Sequence, residues 1–122
     1  MTEREAVLRK LDVGDIFHAE SPSGASLICL VTFVSESAIH ARTVTTQYRF
    51  KFDMRTGEAE WDRNGSVCVI DSVAPLPVEI HNVMLGIDRK YRLERDVEKF
   101  KLNDAEKKAL VFVDSYYAEN QL

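Results

Sequence analysis

Apolar and polar positions change period twice along the chain, and the two changes divide it into three stretches. Thr2, with Glu5 three residues on, forms a capping-box pattern, and Val7, Leu8 and Leu11 then recur at helical spacing. This predicts a short helix over residues 2–12, ended by the Val13-Gly14-Asp15 turn. From residue 13 to 74 the pattern alternates, in short runs broken by turn clusters such as Ser21-Pro22-Ser23-Gly24 and Arg63-Asn64-Gly65. The run Leu27 to Val34 is apolar on both faces, with Leu27, Cys29, Val31 and Phe33 on one side and Ile28, Leu30 and Val34 on the other. Such a strand needs cover on both sides: a barrel interior and something packed on the outside.

The segment Asp53-Met54-Arg55-Thr56-Gly57-Glu58 reads as a hairpin turn, with Asp to cap it and Gly for a left-handed residue. Setting Asp53 opposite Glu58 pairs Phe52 with Ala59 and Phe50 with Trp61 on the inward face. The same register pairs Lys51 with Glu60 and Arg49 with Asp62 on the outward face. Buried rings and opposed charges are what cross-strand energetics favour, at about 0.2–1 kcal/mol a pair.

At Ala74-Pro75-Leu76-Pro77 the strand pattern stops, because Pro lacks a ladder donor. Ile80, Val83, Met84, Ile87 and Tyr91 then form a helical stripe. Asn103 with Glu106 opens a last helix whose apolar face carries Ala105, Ala109, Phe112, Val113 and Tyr116, widened by Leu110 and Tyr117. The charged segment from Arg92 to Lys101 fits either a helical extension or a loop. The expected fold is α+β: a small, bent antiparallel β-barrel of five or six strands, SH3-like in plan. A short N-terminal helix (2–12) and two C-terminal helices (77–121) pack on the barrel (13–74) within one domain.

Composition agrees with a packed core. Of 122 residues, 45% are hydrophobic and 30% charged, with only 5 Gly and 3 Pro, so disordered and collagen-like classes are excluded. The longest apolar run falls far short of the roughly 20 residues a membrane helix needs. The charged N-terminus lacks a signal-peptide core, and Cys29 and Cys68 sit in apolar strands as buried small hydrophobes. A cytoplasmic protein is expected.

Candidate chemistry is sparse. His18, His40 and His81 lie on separate elements, and no metal-ligand, phosphate-loop or G-x-S-x-G spacing occurs, so neither metal nor cofactor is expected. Ser21, Ser23 and Ser26 read as a turn cluster, and catalysis is not favoured. A histidine pair, or a histidine with a cysteine, in one pocket would reopen that question.

The net charge of −4 disfavours nucleic acid, yet Arg42, Arg49, Lys51 and Arg55 against Asp53 make a local basic stripe interleaved with Tyr48, Phe50 and Phe52. If Glu60 and Asp62 neutralise Arg49 and Lys51, the stripe is a solvated ion-pair face. A second mixed run, Arg89 to Lys108, suits an exposed helix face. The expected binding residues are His40, Arg42, Thr45, Gln47, Arg49 and Lys51, with Tyr116 and Tyr117 as interface anchors. The favoured function is a non-catalytic protein-interaction module, for an unidentified protein partner or a second copy. A nucleic-acid-binding barrel is the alternative.

Overall fold

The computed structural model describes residues 1–94 and 101–122. Helix α1 (Glu3–Leu8) is followed by strands β1 (Ile16–Glu20), β2 (Ser26–Val34), β3 (Ala38–Thr43), β4 (Arg49–Asp53), β5 (Glu58–Glu60) and β6 (Val67–Ser72), then by α2 (Val78–Leu93) and α3 (Asp104–Glu119). The strands form one antiparallel sheet in the order β4-β3-β2-β1-β6-β5, bent into a nearly closed barrel. The α+β small barrel with one short N-terminal and two C-terminal helices is therefore the fold. Of the segment from Arg92 to Lys101, Arg92 and Leu93 belong to α2, Glu94 caps it and Lys101 precedes α3. Residues 95–100 lie outside the described residues.

Two apolar clusters hold the elements together. Inside the barrel, Phe17, Cys29, Val31, Ile39, Phe52 and Ile70 pack with Leu8 and Leu11. Phe17 and Phe52 meet edge to face, with centroids 5.3 Å apart at 84°, an arrangement worth about 0.5–1.5 kcal/mol beyond its buried area. Helix α1 is fixed by its Thr2 cap and by Arg4, whose guanidinium donates to the carbonyls of Thr56 (2.7 Å) and Ile70 (2.5 Å). Gly57 beside it has φ +73°, which favours glycine, and a Cβ there would lie 2.7 Å from Arg4 Nη2 and push the guanidinium aside.

The second cluster lies outside the sheet. Ile16, Ile28, Leu30 and Val44 face Met84 and Ile87 of α2 and Ala109, Val113 and Tyr117 of α3. This is the outer cover that the two-faced β2 strand requires. Helix α3 carries the full Asn103–Glu106 capping box. Its buried line runs Glu106, Ala109, Val113, Tyr117, offset from the expected stripe, so Ala105 is exposed and Phe112 sits at the margin.

Two departures from the expected strand pattern shape the surface. The β2–β3 register shifts between Val31 and Phe33, a bulge that inverts the alternation. Val34 turns to the barrel interior, and Phe33, expected to share a face with Cys29 and Val31, is 56% exposed. The second concerns the hairpin at Asp53. Its turn forms as expected, with Asp53 Oδ1 accepting from the amides of Arg55 (2.7 Å) and Thr56 (3.0 Å). The ladder does not: β4 pairs with β3, β5 pairs with β6, and no backbone ladder joins β4 to β5. The barrel is thus open along one seam, which is bridged by the stacked rings of Phe50 and Trp61 (5.9 Å, 10°).

Candidate functional site

On the outer face of β3 and β4 the register places His40 opposite Lys51 and Arg42 opposite Arg49. Like charges in directly opposed positions are destabilising unless something neutralises them. Arg42 is neutralised from above. Its Nε and Nη2 donate to Asp88 Oδ1 and Oδ2 of α2, both at 2.9 Å, and Gln47 Nε2 donates to the same Oδ1 at 2.9 Å. Burial pushes the Asp88 carboxyl up, but the bonds from Arg42 and Gln47 outweigh it and hold the group below the usual carboxylate range.

Arg49 and Lys51 have no such partner. The expected pairs with Asp62 and Glu60 do not form, and among the described residues neither cation makes an ion pair or side-chain hydrogen bond. The reason is the missing β4–β5 ladder, without which the two rows of side chains are not in register. Asp62 turns instead to its own loop, where Oδ1 accepts from the amides of Asn64 (2.8 Å) and Ser66 (3.3 Å).

Exposed rings surround these cations. Tyr48 is 61% exposed and Trp61 40%, and with Arg49, half-buried Phe50 and Glu60 they line a depression of about 430 Å³ at the seam. A second hollow of about 280 Å³ adjoins it, and Arg49 and Phe50 line both. Phe33 and His40 form its far wall, ring edge to face at 5.4 Å. The result is one surface on which partly exposed rings alternate with cations that make no ion pair, with Glu60 the carboxylate in its lining. Such a surface suits planar, anionic ligands.

The expected site residues divide accordingly. His40, Arg49 and Lys51 come together here. Arg42 and Gln47 are spent on Asp88, and Gln47, at φ +62°, also ties the turn by donating to the carbonyls of Thr43 (3.2 Å) and Val44 (3.1 Å). Thr45 lines a separate hollow with Ser26, Ile28, Leu110 and Asp114. Tyr117, expected as an interface anchor, is fully buried and donates its hydroxyl to the Ile16 carbonyl at 3.2 Å, so it belongs to the core. Tyr116 is half-buried, with its hydroxyl on the Pro75 carbonyl.

Phe33, Tyr48 and Trp61 were absent from the expected set. Phe33 reaches the surface through a bulge that alternation cannot reveal. Trp61 faces inward only in a β4–β5 register that the strands do not adopt. The three histidines stay apart: His81 lies near α1 by the Pro75 linker, and His18 is on β1 beside Asp71. No cluster of residues suited to hold a metal occurs among the described residues, and none of their helices is long and apolar enough to cross a membrane. Compared with known protein families, curated proteins and solved structures, the chain matches none.

Proposed function

We propose that this chain is a small-barrel binding module that takes single-stranded nucleic acid across the seam face, with an SH3-like plan and a cytoplasmic setting as part of the same reading. The observation that carries it is the stacked Phe50–Trp61 pair lying open beside an unpaired Arg49. Bases stack on Trp61, Tyr48 and Phe33, each stack contributing about 1–3 kcal/mol, while Arg49, Lys51 and His40 meet the phosphates. The overall charge of −4 limits the electrostatic contribution, so stacking supplies most of the affinity.

A protein partner, or a second copy of the chain, is the second reading. It is favoured by exposed Val111 and Phe112 on α3, where the Phe112 ring stacks on Tyr116 at 5.8 Å.

Trp61 is the only tryptophan, so its fluorescence reports the site directly. Titration with an oligothymidylate at low salt is expected to quench it. The affinity should fall with rising salt at a logarithmic slope of about −0.7 for each phosphate neutralised. Arg49→Ala and Lys51→Ala should each flatten that slope. Unquenched Trp61, together with flow-through on heparin at low salt, would reject this reading in favour of the protein partner.

A further inference from the structure

Away from the seam, three strands bring together a serine, a histidine and an aspartate. His18 Nε2 lies 2.7 Å from Ser26 Oγ, and His18 Nδ1 lies 2.5 Å from Asp71 Oδ1. His18 and Ser26 sit diagonally on the outer face of the β1–β2 ladder. Asp71 is delivered by a bulge: His18 faces Ser72 and Ala19 faces Ile70, which leaves Asp71 as the extra residue of β6. The imidazole is nearly buried and packs against the Tyr117 ring at 5.5 Å, whereas Ser26 is exposed. A nucleophile touching a base that a third group orients is the signature of an activated hydroxyl.

Ser26 opens onto the hollow of about 190 Å³ that it shares with Ile28, Thr45, Leu110 and Asp114. Thr45 lines the same hollow, and its hydroxyl and amide make no hydrogen bond to the protein among the described residues. Asp114 Oδ1 accepts from Ser26 Oγ at 2.7 Å. Ser26 has a single hydrogen, so donation to Asp114 competes with donation to His18. A cationic group seated on Asp114 releases that hydrogen to His18.

We propose that Ser26, His18 and Asp71 form a hydrolytic site for small esters or thioesters whose alcohol or thiol portion carries an ammonium group. Ser26 Oγ bonds to the acyl carbon while its proton passes to His18 Nε2. Asp71 is the positioning residue, holding Nδ1–H and the tautomer. The bond to the leaving oxygen or sulfur then breaks, and that atom takes the proton from Nε2. Water next adds to the acyl-serine, giving its proton to His18. The acid departs as Ser26 recovers its hydrogen, so the net change is ester plus water to acid plus alcohol or thiol.

The test uses the full chain with a fluorophosphonate, which exchanges fluoride for Ser26 Oγ, followed by intact mass and peptide mapping. Acetylthiocholine hydrolysis is compared with that of its neutral 3,3-dimethylbutyl thioester. A single adduct on Ser26 is expected, together with about tenfold or greater preference for the cationic substrate. Ser26→Ala abolishes labelling. Asp71→Asn slows it by about 100-fold or more, and Asp71→Glu, which keeps the carboxylate, restores part of the loss. Asp114→Asn keeps the adduct but erases the preference for the cation. Absence of a Ser26 adduct in the folded wild-type chain overturns the proposal. So does a labelling rate unchanged by His18→Gln in protein whose circular dichroism is native, since the cluster would then be only a bridge from α3 to the sheet.

Discussion

The Arg42 guanidinium grips the Asp88 carboxylate as a fork, Nε on Oδ1 and Nη2 on Oδ2 at 2.9 Å each, and so fastens α2 to the third strand of the barrel. Asp88 is almost wholly buried, and this bond, rather than a solvated ion pair, answers the like charge of Arg49 across the ladder. Removing one partner of such a pair leaves the other uncompensated in a poor solvent for charge. Asp88→Asn is therefore expected to cost about 3 kcal/mol, read as a lowered urea midpoint. The double replacement Arg42→Leu with Asp88→Leu should cost less than either single one.

The same carboxylate sets the acid limit of the fold. Asp88 is held low by Arg42 and Gln47 against its burial. Glu106 is held low by Lys90 (2.6 Å) and the Asn103 amide (3.0 Å), again against burial. A group whose folded pKa lies below its unfolded value contributes stability above the unfolded value and loses it as pH falls through the folded one. Stability should thus hold from neutrality down to about pH 4, the unfolded carboxylate range, and decline below it. Thermal unfolding from pH 7 to pH 2 measures this, and Asp88→Asn should flatten the acid limb.

Tyr117 closes the outer core and spends its hydroxyl on the Ile16 carbonyl. Tyr117→Phe should cost about 1 kcal/mol for the lost bond, and Tyr117→Ala about 3–5 kcal/mol for the cavity. Chemical denaturation separates the two, and equal costs would show that the hydroxyl contributes nothing.

Both thiols are sealed. Cys29 is fully buried and burial pushes its thiol well above the ordinary range, with Cys68 and Asp71 adding to the effect. Burial raises Cys68 too. Because the thiolate is the reactive form, neither should react with a disulfide reagent in the native protein, and both should react in guanidinium. Fast native labelling of either would contradict the packing of the barrel interior.

The bulge in β2 gives a fourth handle on packing. Phe33→Ala should change stability by no more than about 0.5 kcal/mol, because the ring is at the surface. Deleting Thr32, the extra residue of the bulge, should leave Phe33 outward opposite His40 and Val34 inward opposite Ile39 in a regular ladder, at greater cost because the bond from Thr32 Oγ1 to the His40 carbonyl (3.2 Å) and the local twist are lost. Urea midpoints for the two variants rank them.

Much of this architecture is legible in the chain. The Thr2 and Asn103 caps, the Asp53 turn and the two-faced β2 strand as far as Val31 are local signals, and each local hydrogen bond or face is where the pattern puts it. What stays hidden depends on one-residue shifts and on partners far apart in sequence. Phe33 and Asp71 are re-aimed by bulges, which leave no mark in hydrophobic periodicity. Asp88 reads as an ordinary charged helix residue until α2 is laid over Arg42, 46 positions earlier. The hairpin failed for a subtler reason. Its turn forms, but β5 is only three residues long and its ladder is with β6 alone, so β4 and β5 lie side by side without a shared register.

The gap between β4 and β5 leaves this sheet with two free margins, and unpaired strand margins invite the same margin of another molecule to join. Lys51 and Arg49 stand along one of them, so any second copy approaching strand to strand would set lysine and arginine against their own kind. The cations that fit this face for a foreign polyanion would equally act as gatekeepers, keeping the protein from stacking into fibrils with itself.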